Sequence, residues 1–191
     1  MANLIITIIS IALVAIAALM GAYYGGTAFL NGQAKANANA SVSQGEQQVA
    51  AWSVYTADRS GNWTLASISA LSATSPAAYL TTAPVSPAGV TASTGISAWS
   101  LVNLSDVSGG TSANFNGVYY QLIGSTSGAN VCSTVSQMIG GSSATPTRTS
   151  VANNLLQAAN GRKFDCVFVD TSASVFPSTG TDTMYIYYRA Y

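Results

Sequence analysis

The sequence predicts an α+β protein in which a long hydrophobic N-terminal helix packs on a globular head containing an antiparallel sheet. Three observations predict it. No charged side chain occurs from Met1 through Ala34; the first is Lys35. From about Ser53 onward the composition shifts to Ser, Thr, Gly, Asn and Ala with scattered aromatics. Between residues 98 and 189 lie four short runs rich in aromatic or β-branched residues and bounded by Gly, Ser, Asn or Pro.

The N-terminal run comes first. From Leu4 to Ala22 its only polar side chains are Thr7 and Ser10. About twenty residues of helix cover roughly 30 Å, the thickness of a hydrocarbon core. In lipid a backbone must satisfy its own hydrogen bonds, so a single span there is helical. Tyr23 and Tyr24 follow where an interfacial aromatic pair is expected. A secretory signal fits poorly, because no Lys or Arg precedes the run and the run is too long. A membrane anchor and a helix buried in protein both fit the composition. A run that starts without a charged flank is expected if a basic leader has been removed and Met1 opens a mature product.

The helix is expected from near residue 2 to about residue 54. Residues 1–54 then form one unit, with 1–24 as membrane span or filament core, and 55–191 form the head. Gly21, Gly25, Gly26 and Gly32 each cost about 1 kcal/mol in a helix interior, so a bend or a locally unwound turn is expected there. Gly21 and Gly25 also make a small-xxx-small pair that permits close helix contact in an apolar setting.

Asp58 to Asn62 reads as the turn that ends the helix. A short helical piece is expected within 63–71. Pro76, Pro84, Pro87 and Gly89 break up regular structure between 74 and 95. The strand candidates are 98–104, 117–123, 163–170 and 183–189. The last alternates in part, with Met184, Ile186 and Tyr188 on one face and Tyr185, Tyr187 and Arg189 on the other. Two further helices are expected, over 132–139 with Gly140-Gly141 as terminator and over 149–160 with Gly161 as cap. Trp52, Trp63 and Trp99 read as packing residues between helix and head.

Composition narrows the function. Of 191 residues 49% are hydrophobic and only 6% charged, against about 25% in typical soluble domains. Six Lys/Arg balance six Asp/Glu, and there is no histidine. A neutral chain with no basic patch has little means of holding a nucleic-acid backbone, so no direct nucleic-acid binding is expected. Without histidine there is no imidazole ligand and no histidine base to activate the many serines. Asp165 and Asp170 lie five apart, which on one strand sends them to opposite faces. Neither an enzyme nor a cofactor or metal site is expected. Cys132 and Cys166 form an even pair in a polar head that reads as exported, which points to a disulfide. Two buried free thiols are the other reading.

These parts together resemble a type IV pilin, and within that family the type IVb pilins such as those of conjugative thin pili. The likeness rests on the apolar N-terminal helix, the polar head, the segment from Cys132 through Gly140, the closure over Thr149 to Cys166, and the tyrosine-rich end from Tyr185 to Tyr191. Met1 suits a family whose mature chains often begin with residues other than phenylalanine. Two positions depart from the pattern: Ile5 stands where members usually carry glutamate, and Ala22 where they commonly carry proline.

The resemblance implies a major pilin that homopolymerises into a helical filament at the bacterial cell surface, drawn from an inner-membrane pool. It implies a prepilin peptidase and pilus assembly machinery as partners, and a processed, methylated Met1. Leu4, Ile5, Ile8, Ile9, Ile11, Leu13, Val14, Ile16 and Leu19 would pack the filament core, and Gly21, Gly25 and Gly26 would supply helix flexibility. Cys132 and Cys166 would bound the family's disulfide region, 132–166. The alternatives are a membrane-anchored binding module and a type II secretion pseudopilin, whose head is usually smaller.

Overall fold

The computed structural model describes residues 2–61, 65, 67–72, 79–82, 84–85, 87, 99–102, 116–122, 126–142, 144–149, 162–169 and 183–190. Helix α1 spans Ala2–Asp58, 57 residues and about 85 Å at 1.5 Å per residue. It runs one turn past the expected end and stops in a capped turn. The Gly61 N–H donates to the Thr56 carbonyl at 2.9 Å and the Arg59 N–H to the same oxygen at 3.1 Å. Ser60 (φ 57°) and Gly61 (φ 85°) both take the left-handed region there. The six-to-one bond satisfies a carbonyl that the helix end would leave open.

The unwound turn expected at Gly21, Gly25, Gly26 and Gly32 is absent, and α1 is helical through all four. A Cβ added at any of them would meet nothing within 4 Å. Nothing in the chain's own fold therefore competes with the helical hydrogen bonds at these positions.

The head holds a 3₁₀ turn (Ile68–Leu71), helix α2 (Thr126–Gly140) and five strands: β1 (Ser100–Val102), β2 (Gly117–Leu122), β3 (Thr147–Thr149), β4 (Phe164–Val169) and β5 (Thr183–Arg189). They make one sheet in the order β1-β2-β5-β4-β3. The four expected strands pair antiparallel. The edge strand β3 was not expected and runs parallel to β4. Thr149, taken as the start of a helix, is the last residue of β3; the rest of that expected helix lies outside the described residues. Helix α2 starts six residues before Cys132. Gly141 ends it as expected, at φ 85° with its N–H on the Gln137 carbonyl at 3.0 Å.

Register decides which side chains meet. Val118, Tyr120 and Leu122 of β2 oppose Tyr188, Ile186 and Met184 of β5, which oppose Phe164, Cys166 and Phe168 of β4. Strand alternation puts all nine on one face. Phe164 is half-buried and the others are buried.

Both helices lie across this face. The second half of α1 buries Ala34, Ala38, Ser41, Gly45, Gln48, Trp52 and Thr56. Steps of three and four residues make these a single stripe. Its first four members are small, so the helix axis comes close to the sheet. At Gly45 an added Cβ would sit 2.8 Å from the Tyr188 Cβ. Polar groups fix the approach. The Ser41 and Tyr120 hydroxyls share a hydrogen bond at 2.5 Å, and the Trp99 ring N–H donates to Gln44 Oε1 at 3.2 Å. Trp99 also rests tilted on the Tyr120 ring, centroids 4.6 Å apart. Trp52 and Trp99 thus pack between helix and head as expected; Trp63 lies outside the described residues.

Two outcomes test this packing in the intact, detergent-held chain. Gly45→Ala should lower the thermal unfolding midpoint, since overpacking a core costs about 1–3 kcal/mol. Gly25→Ala, which meets open space, should hold or raise it; equal responses would contradict the close approach. The second outcome concerns pH. Burial pushes the Tyr120 phenol up to about 12, against a smaller downward pull from the Ser41 hydrogen bond. Burial raises Tyr187 as well, with the Asp165 carboxylate adding to it. An unfolded tyrosine ionises near about 10, so the fold binds the phenolic proton more tightly than the open chain does. Stability from these groups is complete below that value and is lost as pH rises through the folded pKa. Circular dichroism should show a midpoint that is level to about pH 9 and falls between about 10 and 12. A level midpoint across that window would contradict the burial of Tyr120.

Candidate functional site: an apolar helix left bare by its own chain

The first half of α1 projects beyond the head. Residues 3–33 are all exposed in the single chain. Their helical length is about 46 Å, more than a hydrocarbon core requires. Every large apolar side chain from Leu4 to Leu30 is at least half exposed, from 52% at Ile16 to 72% at Leu19 and Tyr23. That set includes each residue expected to pack a filament core: Leu4, Ile5, Ile8, Ile9, Ile11, Leu13, Val14, Ile16 and Leu19. They lie on every side of the helix rather than along one stripe, the pattern of a helix that needs apolar surroundings all round.

Polar groups in this segment are arranged for such surroundings. The Thr7 hydroxyl donates to the Asn3 carbonyl at 2.7 Å, Ser10 to Ile6 at 2.9 Å, and Thr27 to Tyr24 at 3.1 Å. Each hydroxyl is satisfied by its own helix, so it can leave water without stranding a donor. Gly21, Gly25, Gly26 and Gly32 leave open surface where another helix can come near. Tyr23 and Tyr24 meet edge to face, centroids 5.6 Å apart, at the end of the most apolar stretch. By length and composition α1 can cross a membrane, and none of its most apolar window is buried by the rest of the chain. Met1 lies outside the described residues.

No protein-family model, curated protein or solved structure matches the chain. Its chemistry is therefore read from its own residues.

Beneath α1, helix α2 is cross-linked to the sheet. Cys132 in α2 and Cys166 in β4 form a disulfide, with Cα atoms 5.2 Å apart and a sequence separation of 34. Beside it, Asp165 is buried but fully occupied. It accepts from the Ser136 hydroxyl at 2.6 Å, Arg162 Nη1 at 2.6 Å and the Cys166 N–H at 2.7 Å. These bonds hold α2, β4 and the strand's leading turn together. Asp170 lies outside the described residues. Among the described residues no group of three or more His, Cys, Asp or Glu side chains comes together.

Two surface grooves lie among the described residues. One, of about 530 Å³, is lined by Gln47, Ala50, Val54, Tyr79 and Leu80 on the outer flank of α1. The other, of about 350 Å³, lies between α1 and α2 at Lys35 and is lined mainly by amides and hydroxyls. The second groove was missed from sequence, because it exists only where the two helices meet. The small-residue stripe at 34, 38, 41 and 45 was also missed, although its spacing of four, three and four was there to be read.

The bridge makes a direct prediction. Closing a 34-residue loop stabilises a fold by about 4 kcal/mol on the chain-entropy account. Cys132→Ser should therefore lower the unfolding midpoint and the amount of chain recovered from cells. An unchanged midpoint would contradict a stabilising role for the bridge.

Proposed function

We propose that this chain is the repeating subunit of an extracellular helical filament of the type IVb pilus kind, polymerising through the first half of α1. The observation that carries this reading is the exposed, largely apolar helix of residues 3–33, joined without a break to a half that is packed on a disulfide-bridged head. Covering on the order of 2000 Å² of apolar surface is worth about 50 kcal/mol relative to water. Such a helix stays in lipid or among others like it. Polymerisation exchanges the first for the second, and the two differ far less from each other than either does from water. An inner-membrane pool can then feed a growing fibre with the help of a peptidase and an assembly machine. Contacts that do not close on themselves produce an open helix of subunits.

The continuous helix supports the same reading. The first half of α1 would sit among sister helices, and the second half would carry the head at a fixed distance on the outside. No catalytic step is assigned to the chain; its work is mechanical. The same helix would hold a non-polymerising protein in a membrane, and fibre composition separates the two. Surface fibres sheared from producing cells should consist mainly of this chain by mass spectrometry. Ile9→Asp or Val14→Asp places a charge in the apolar core, where an unpaired ion is costly. Either should abolish fibres while the head keeps its disulfide and its unfolding midpoint. Fibre at the unsubstituted level from either variant would overturn the packing claim.

A further inference from the structure

Lys35 is the first charged side chain in the sequence and the only cationic side chain of α1. It is exposed, and no described residue forms an ion pair or hydrogen bond with it. It lines the groove of about 350 Å³ between α1 and α2, together with Asn31, Asn130, Ser133 and Gln137. Amide N–H groups and the Ser133 hydroxyl can donate there beside the ammonium, and no carboxylate is among the lining residues. One positive charge among neutral donors suits a singly charged phosphate diester. A zwitterionic headgroup would bring an ammonium for which the groove offers no acid.

The position of the groove along α1 says where such a phosphate comes from. Ala34 is the first buried residue among those described, so the groove opens at the end of the head nearest the bare half of the helix. Phe29 and Leu30 are the last large apolar side chains of that half, 68% and 57% exposed. When α1 crosses a bilayer, they are covered only if the hydrocarbon reaches them. Leu4 to Leu30 is 27 residues, about 40 Å of helix, which spans a core of about 30 Å when tilted by about 40°. Tyr23 and Tyr24 then lie about 7 Å inside the hydrocarbon edge, a depth that a phenol spans to bring its hydroxyl to the interface. Lys35 stands five residues beyond Leu30, roughly 6 Å above the edge and within a headgroup layer of about 5–7 Å.

Resting on the membrane stage of the reading above and not on polymerisation, we propose that this groove binds the phosphate of an anionic phospholipid headgroup while α1 spans the bilayer. Lys35 supplies the charge, and Asn31, Asn130 and Ser133 supply the neutral donors. The contact fixes how deep the subunit sits, with Phe29 and Leu30 covered and the head resting on the membrane surface.

Native mass spectrometry of the intact, detergent-held chain, titrated separately with phosphatidylglycerol, phosphatidylcholine and inorganic phosphate, tests it. Phosphatidylglycerol should bind at the lowest concentration of the three. Lys35→Gln should weaken that binding about fivefold, the effect of one basic residue at a membrane surface, and Lys35→Arg should keep it. Asn130→Asp, which puts an acid into the groove, should weaken it as well. Arg59→Gln removes an equal charge about 36 Å away along the line of α1 and should change nothing. Equal affinity for the two lipids, unchanged binding in Lys35→Gln, an equal loss in Arg59→Gln, or inorganic phosphate held as tightly as phosphatidylglycerol would each overturn the headgroup site while leaving the filament reading intact. A chain that fails to float with vesicles of the two lipids would overturn the membrane stage, and the headgroup site with it.

Discussion

Everything in this molecule answers to one constraint: about thirty residues of apolar helix have no cover from their own chain. A soluble domain of this size would fold such a segment into its core. Here the core is complete without it. The sheet's inner face is filled by the second half of α1, by α2 and by the tryptophans at 52 and 99. The exposed half is left for surroundings that the chain does not supply. Its serine and threonine hydroxyls are closed on its own carbonyls and its glycines meet open space, which suits lipid and sister helices equally.

The two halves of α1 divide the labour by side-chain size. Residues 4–20 carry large aliphatic side chains on every side of the helix, interspersed with alanines. Residues 34–45 turn small residues inward, made to lie close on a sheet. Gly45 against Tyr188 is the tightest point of that seam. At the seam α1 lies side by side on β2 and β5, with the Ser41–Tyr120 and Gln44–Trp99 bonds fixing the lateral position. The disulfide and the Asp165 cluster tie α2 and β4 into the same block.

Much of the fold was legible in the sequence, for definite physical reasons. The four antiparallel strands announce themselves through aromatic and β-branched runs, and 183–189 matches to the residue although it alternates only in part, with Tyr187 buried beside Tyr188. The uninterrupted helix was less legible. Four glycines look like breakers by intrinsic propensity, yet propensity is a weak term when long helix flanks both sides and no other packing competes. The strand at 147–149 is three residues long and gains its place from β4, so no local pattern marks it. Helix α2 begins six residues before the expected start at Cys132, with Ser127, Gly128 and Asn130 reading as loop until the helix behind them is known. The apolar part of the candidate site was visible at once. The polar groove at Lys35 was not, because half of its lining comes from a helix nearly one hundred residues away in sequence.

The most direct measurement is a density map of the surface fibre at side-chain resolution. Residues 3–33 should be enclosed on all sides by the same segment of sister copies, with the heads forming the outer shell. A map that leaves those residues standing alone in solvent, away from both neighbouring copies and any bilayer, would contradict the account at its root.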